Sequence, residues 1–195
     1  MDKIILASTS PRRQELLGLL VERFEVVPSG ADESLPWGTP PADAVRLLAL
    51  RKAREVAGRC PGALVIGADT VVDLDGKILG KPAGEREAVQ MLLALSGRRH
   101  RVHTGIALVD GDGERADTVT TEVTFAPVTE AEARWYAATG EPLDKAGAYG
   151  IQGLGSRFIT GIDGDFYTVM GLPVRRLYEL LRGQGVPLRQ RTERM

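Results

Sequence analysis

Apolar residues run along this chain in two rhythms. Unbroken runs of strand length, Ile4-Ile5-Leu6-Ala7 and Ala63-Leu64-Val65-Ile66, read as buried strands, and Phe24-Glu25-Val26-Val27 as a third. Between them the period lengthens to that of a helix. Ser10 is a good N-cap and Pro11 a good first helical residue, which predicts a helix through Leu16, Leu17 and Leu20. A second helix is expected over Ala42–Ala57. A third spans Glu85–Leu95, with Ala88, Met91, Leu92 and Leu95 on one face, and two more cover Glu130–Thr139 and the stretch from Pro173. Val71–Leu79 reads as a hairpin turning at Asp75-Gly76, and another pair of strands flanks Asp110-Gly111-Asp112-Gly113. Strands are also expected around Phe158–Ile162 and Tyr167–Met170, and a Gly/Pro-rich loop over Ser29–Pro41. Strands interleaved with helices, with at least two hairpins, predict an α/β protein with a mixed sheet.

Composition narrows the function classes. A chain of 195 residues is one domain or two closely packed lobes. The expected division is a domain over residues 1–183 and a frayed tail over 184–195, whose Arg189–Arg194 stretch is basic. The formal net charge is −1, without the asymmetry of a nucleic-acid or membrane-surface protein. Cys60 is the only cysteine, which excludes an internal disulfide and a cysteine-rich zinc site. The N-terminal apolar run is too short for a signal peptide, and no stretch is long enough to span a bilayer. The expected setting is the cytoplasm.

Several polar residues fit a purely structural reading poorly. Ser8-Thr9-Ser10-Pro11-Arg12-Arg13 places two arginines at a helix N-terminus, where the dipole disfavours cations by ~0.3–1 kcal/mol each. Hydroxyls, free N–H groups and guanidinium groups together suit an anion such as phosphate, although two solvated arginines after an ordinary cap would read the same. At 100° per residue Lys52 falls between Leu48 and Val56, with Val45 and Ala49 beside it. It either snorkels from an apolar stripe or projects a cation into a cleft. Asp69, in Gly67-Ala68-Asp69-Thr70 at the carboxyl end of a buried strand, is a turn aspartate or a ligand-facing carboxylate with small neighbours. Lys81 sits in Gly80-Lys81-Pro82 and Glu33 in Ala31-Asp32-Glu33-Ser34. One is a second candidate phosphate cation and the other a candidate metal carboxylate, each weak alone. The glycine-dense run Asp144–Gly155 matches neither the dinucleotide fingerprint nor a P-loop, but contains Gln152, whose amide can read the edge of a nucleobase.

Other constellations fail. His100 and His103 face opposite sides of a strand. The Asp110/Asp112 turn lacks the glycine and distal glutamate of a calcium loop. No G-x-S-x-G elbow occurs, and Cys60 has no evident activating base.

Together Ser8-x-Ser10-Pro11-Arg12-Arg13, Leu50-Arg51-Lys52-Ala53, Gly67-Ala68-Asp69-Thr70-Val71, Gly80-Lys81-Pro82, Thr104-Gly105 and Asp144-Lys145-Ala146-Gly147-Ala148-Tyr149-Gly150-Ile151-Gln152-Gly153 resemble the Maf family from Lys3 to about Leu181. The resemblance implies a mixed, elongated twisted sheet with flanking helices, two lobes around a deep nucleotide cleft, and a homodimer. It implies hydrolysis of a nucleoside triphosphate at the α–β phosphoanhydride, dependent on Mg²⁺ or Mn²⁺, giving the monophosphate and pyrophosphate in a nucleotide-pool or house-cleaning role. In the dTTP/UTP branch the family has arginine, threonine and glutamine where Arg12, Thr70 and Gln152 stand. A sister branch acting on 7-methyl-GTP differs there. The implied roles are Asp69 as proton acceptor and metal ligand, Glu33 as metal ligand, Ser8, Arg13, Lys52 and Lys81 as triphosphate binders, and Arg12, Thr70 and Gln152 as specificity residues. Two alternatives remain: a nucleotide-sensing regulator of cell division, and a pyrophosphatase for non-standard purine nucleotides such as ITP.

Overall fold

The computed structural model describes residues 3–189. Its centre is a mixed seven-stranded sheet built from β1 (Ile4–Leu6), β2 (Glu25–Val26), β3 (Leu64–Leu74), β4 (Lys77–Leu79), β5 (Arg99–Asp110), β6 (Gly113–Phe125) and β7 (Ile159–Asp163). The order is β2-β1-β3-β5-β6-β7, with β4 added to β3. β1 is parallel to β2 and β3, and every other pairing is antiparallel. Six helices flank it: α1 (Pro11–Gly18), α2 (Pro41–Arg59), α3 (Glu85–Leu95), α4 (Glu130–Ala138), α5 (Phe166–Met170) and α6 (Val174–Gly183).

β3 organises the molecule because its two edges are treated differently. One edge pairs with β5 continuously from Val65 to Asp73. The other pairs with β1 at Leu64–Ile66 and with β4 at Val72–Leu74. The stretch Gly67–Val71 between them therefore lies in a notch, open where β1 ends and the chain turns away at Ser8. Asp69 and Thr70 are in the middle of the notch, inside an eleven-residue strand and not at its carboxyl end as the sequence predicts. The carboxyl end that opens on the notch is that of β1, the usual placement of ligands in α/β sheets.

Side chains alternate across β3, and the two faces are covered differently. Leu64, Ile66 and Ala68 pack with Leu16 and Leu17 of α1 and Leu177 and Leu181 of α6. Further along the same face, Val72 and Leu74 pack with Leu92 and Leu95 of α3, Tyr136 of α4, Tyr149 and Phe158. Thr70 has the same strand parity and falls at the step between the two clusters. On the opposite face α2 lies against the sheet through Ala49, Ala53 and Val56, which meet Val65 and Ala107. Two glycines make this contact close. A Cβ on Gly67 would stand 2.1 Å from the Ala49 carbonyl oxygen, and one on Gly105 would stand 2.2 Å from that of Val45. Gly105 is also the cross-strand partner of Asp69, so the spacing that lets α2 settle on the sheet also sets Lys52 beside that aspartate.

Tyr167–Met170 departs from expectation, being helical and not a strand. The aromatic and β-branched residues favour a strand, but Asp165 caps the segment: its Oδ2 accepts from the Thr168 backbone N–H at 2.8 Å and from the Thr168 hydroxyl at 2.7 Å. Gly171 closes the turn with φ 111°. The glycine-rich run is a series of short 3₁₀ turns over Glu141–Asp144, Ala146–Ala148 and Gly153–Phe158. At the far end, Val186 is buried with α1 and α6, and the Arg189 backbone N–H donates to the Leu20 carbonyl at 2.8 Å. The rest of the stretch expected to fray, residues 190–195, lies outside the described residues.

Candidate active site

Ser8, Arg12, Arg13, Glu33, Lys52, Asp69, Thr70, Lys81 and Gln152 all line one cavity of about 1010 Å³. They come from six separate segments of the chain, so the notch in β3 is where distant motifs converge.

At one side of the cavity, the turn after β1 delivers Arg13 from the first turn of α1. Ser10 occupies the N-cap position with extended backbone, but its side chain makes no cap bond; its N–H donates instead to the Ser8 hydroxyl at 3.3 Å. Arg13 is held by three neutral acceptors: Nε donates to the Gly171 carbonyl at 2.9 Å, Nη1 to Ser8 Oγ at 3.2 Å, and Nη2 to Thr70 Oγ1 at 3.1 Å. Among the described residues no carboxylate lies within ion-pair distance of it. Burial lowers the Arg13 pKa, an effect that the charge of Asp69 opposes. A desolvated cation with only neutral partners is costly unless an anion joins it.

The hydroxyl directions behind Arg13 follow from donor counting. Thr104 is fully buried and donates its one hydroxyl hydrogen to the Thr168 carbonyl at 2.7 Å. Towards Thr70, 2.9 Å away, Thr104 Oγ1 must therefore accept. Thr70 donates to Thr104, and its own oxygen accepts from Arg13. The directed chain from Arg13 through Thr70 and Thr104 to the Thr168 carbonyl thus fixes the guanidinium to the sheet and to α5.

At the α2 side, Lys52 does not snorkel outward. Its Nζ lies 2.6 Å from Asp69 Oδ1 and 2.7 Å from Glu33 Oε1, and its side chain is only 15% exposed. Lys52 holds the Glu33 carboxyl below the usual range, against the opposing effect of burial, with Lys81 and Arg13 adding to the shift. Glu33 sits in a loop tied to the outer face of α2. Arg51 Nη1 donates to the Ser34 and Asp32 carbonyls, and the Gly30 N–H donates to the Glu55 carboxylate at 3.1 Å. Lys81 reaches the cavity from the turn after β4. Among the described residues no group of three or more His, Cys, Asp or Glu is arranged to hold a metal; Glu33 and Asp69 are the two carboxylates brought together, across one ammonium.

The third side is formed by the segment after α4. Arg12 Nη1 donates to Asp144 Oδ2 at 3.2 Å, and Lys145 Nζ donates to Asp144 Oδ1 at 2.7 Å. Gln152 lies on the following loop at the cavity wall. Sequence reasoning missed Thr168 and assigned no role to Thr104, Arg51 and Asp144, although these three stand in the quoted motifs. Each supports another residue from outside its own motif, and no spacing along the chain pairs them.

The other polar residues weighed in the sequence have structural partners. On one face of β5 the His100 Nε2 is 2.8 Å from the Tyr149 hydroxyl; on the other, His103 Nδ1 is 2.8 Å from Thr120 Oγ1 and its Nε2 is 3.3 Å from Asp73 Oδ2. Asp110 turns its hairpin by accepting from the Asp112 and Gly113 N–H groups. No helix among the described residues is long and apolar enough to cross a membrane.

This sheet and its flanking helices place the chain in the Ham1-like class of α/β folds. The solved structure of the Ham1 protein of Staphylococcus aureus matches with a TM-score of 0.56 at 16% identity, covering 94% of this chain and 100% of that one. A HAM1 protein from Coxiella burnetii matches with a TM-score of 0.54 at 20% identity, over 94% of this chain and 100% of that one. Within that fold the family is specific: residues 3–184 match the family model described as Maf-like protein, and the chain belongs to the Maf family. Among its relatives, a protein of Symbiobacterium thermophilum named dTTP/UTP pyrophosphatase is 52% identical over 188 residues, covering 96% of this chain and 97% of that one. Proteins of the same name from Moorella thermoacetica and Bacillus mycoides are each 50% identical, covering 95% and 93% of this chain and 97% and 95% of their own lengths.

Proposed function

We propose that this protein is a nucleoside triphosphate pyrophosphatase that hydrolyses dTTP and UTP between the α- and β-phosphates, releasing the nucleoside monophosphate and pyrophosphate. The observation that carries the reading is the juxtaposition of Asp69, Lys52 and Glu33 with the neutrally held Arg13 around one cavity, in a chain about half identical to relatives named for that activity.

The triphosphate lies against the Ser8–Arg13 turn, where Arg13 supplies the uncompensated positive charge and Lys52 and Lys81 share the rest. Asp69 Oδ1 is engaged by Lys52, which leaves Oδ2 to orient and deprotonate the attacking water. Lys52 keeps the carboxylate in place and offsets the repulsion that an approaching phosphate meets. Glu33 and Asp69 would hold a hard divalent cation such as Mg²⁺ or Mn²⁺, which prefers carboxylate oxygens. When bound, the ion supplies neutralisation of the charge building on the phosphate oxygens. Gln152 selects the base: its N–H faces a pyrimidine O4 and its carbonyl the N3–H, a pair that uracil and thymine present and cytosine does not. Arg12 completes the selection from beside the same segment, whereas Thr70, which the resemblance assigns to specificity, serves the phosphate end by holding Arg13. A carboxylate poised beside the phosphates serves hydrolysis and would only weaken binding in a sensor.

The test is incubation with a panel of nucleotides and Mg²⁺ or Mn²⁺, scoring pyrophosphate and orthophosphate separately. UTP and dTTP should give UMP or dTMP with pyrophosphate, and ATP, GTP and ITP should be much poorer. Release of orthophosphate with UDP would place the cleavage at the other bond and defeat the reading.

A further inference from the structure

The loop that carries Gln152 is fastened on both sides of that residue by two side chains outside it. Glu141, at the start of the first 3₁₀ turn, accepts the Leu154 backbone N–H on Oε2 at 3.0 Å and the Gly155 N–H on Oε1 at 3.1 Å. The Tyr136 hydroxyl donates to Glu141 Oε1 at 2.8 Å and accepts the Gly150 N–H at 3.1 Å. Gly150 precedes Gln152 by two residues, and Leu154 follows it by two.

The glycines of the loop make room for this fastening. Gly153 has φ 72°, and a Cβ there would stand 2.8 Å from Glu141 Oε2. A Cβ on Gly155 would stand 2.6 Å from the Tyr136 hydroxyl. Burial raises the Glu141 pKa, but the Leu154 N–H, the Tyr136 hydroxyl and the Gly155 N–H outweigh it and hold the carboxyl below its usual range. The acceptor is thus an ionised carboxylate, which binds N–H groups about twice as strongly as a neutral oxygen. The same 3₁₀ turn reaches Arg12 through Asp144, and Lys145 Nζ ties back to the Glu141 carbonyl at 2.6 Å. One short segment therefore registers Arg12 and Gln152, residues 140 positions apart in the chain.

We propose that Glu141, with the Tyr136 hydroxyl, is the positioning pair that fixes Gln152 for nucleobase selection. It rests on the reading of Gln152 as the residue that meets the base. The hydrogen bonds of both side chains go to each other and to the backbone of this loop, and none goes to Arg13, Lys52, Lys81 or Asp69. Their effect falls on discrimination between bases, and only secondarily on turnover.

The experiment measures kcat/KM for UTP and CTP on the full chain, the inhibition constant of inorganic pyrophosphate, and the thermal midpoint, for Glu141→Gln, Tyr136→Phe, Gln152→Ala and the Glu141→Gln/Gln152→Ala double variant. Glu141→Gln turns one acceptor into a donor facing N–H groups. The UTP-over-CTP ratio should fall by about tenfold, the cost of loosening one reading hydrogen bond. Tyr136→Phe, which keeps the ring in its apolar site, should move the ratio in the same direction by less. Pyrophosphate inhibition should stay within about twofold, since Arg13 and Lys52 are untouched, and the double variant should be no less selective than Gln152→Ala alone, because a positioning pair has nothing left to position. If Gln152→Ala leaves the ratio intact, the base-reading role fails and the positioning role with it. If Gln152→Ala collapses the ratio while Glu141→Gln and Tyr136→Phe lower only the thermal midpoint, the pair is structural and this proposal alone is overturned.

Discussion

The two ends of the cavity are built on different principles. At the phosphate end Asp69 and Thr70 stand on β3, Lys52 on α2 and Arg13 on α1, regular elements packed face to face, with Ser8, Glu33 and Lys81 brought in by the turns and loop beside them. Their spacing is set by backbone contact, as at Gly67 and Gly105, where α2 approaches too closely to admit a methyl group. At the base end Gln152 rides on a loop whose shape depends on side-chain hydrogen bonds from Glu141 and Tyr136. A phosphate chain is common to every nucleotide, so its site suits a rigid frame. The base distinguishes one nucleotide from another, and a site held by a few side-chain bonds changes preference with little disturbance to the core.

That contrast is most severely tested at Asp69. Asp69→Asn keeps the shape and removes the base, so turnover should drop by roughly 10²–10⁴-fold for every nucleotide while the UTP-over-CTP ratio holds. The check is single-turnover and steady-state kinetics on folded protein with saturating metal. Near-full activity would remove Asp69 from the mechanism.

A smaller effect sharpens the same line. Thr104→Val removes the group that directs Thr70 towards Arg13 and leaves the Thr168 carbonyl without its donor. Stability should fall by ~1–3 kcal/mol, and KM should rise several-fold alike for UTP, dTTP and CTP. Thr104→Ser should restore both. A base-dependent change would mean that the threonine chain serves selection and not phosphate binding.

The effect on catalysis is smallest for the core beneath the base end, where the change falls on stability alone. His100 is buried, its Nδ1 has no hydrogen-bond partner among the described residues, and burial lowers its pKa to about 4. The unfolded chain, with an ordinary histidine near 6.5, binds the proton more readily across that interval. Stability from this group is therefore full above about pH 6.5 and is lost as pH falls towards 4, by about 3 kcal/mol at most. His100→Gln keeps a partner for the Tyr149 hydroxyl and should flatten the difference between wild-type and variant unfolding curves over that window. Equal slopes for both proteins would show that His100 does not carry the titration.

Much of this was legible before folding. The strand at Ile4–Leu6, the helix expected over Ala42–Ala57 and found over Pro41–Arg59, and the hairpin at Asp75-Gly76 follow from hydrophobic period and turn chemistry, which act over a few residues. Hence Lys52 could be placed on the inner stripe of α2, and the motifs around Arg13, Asp69 and Gln152 could be recognised one by one. What the local pattern left open on Lys52 was its direction, because the same stripe serves a snorkelling lysine and a buried one. Tyr167–Met170 is helical against its strand-favouring composition because the caps at Asp165 and Gly171 outweigh the residues' own preference.

Tertiary structure alone decided the rest. Sequence period shows that β3 is apolar, but only the lengths of β1 and β4 leave Gly67–Val71 as an open notch and put Asp69 inside a strand yet beside a cavity. Only packing reveals that Lys52 bridges Asp69 and Glu33, that Thr104 fixes the direction of the Thr70 hydroxyl, and that Glu141 holds a loop beginning nine residues further on. The physical reason is range. Backbone propensity and hydrophobic period are properties of neighbours in the chain, whereas hydrogen-bond direction and the pairing of buried charges belong to groups that meet only when the sheet closes over them.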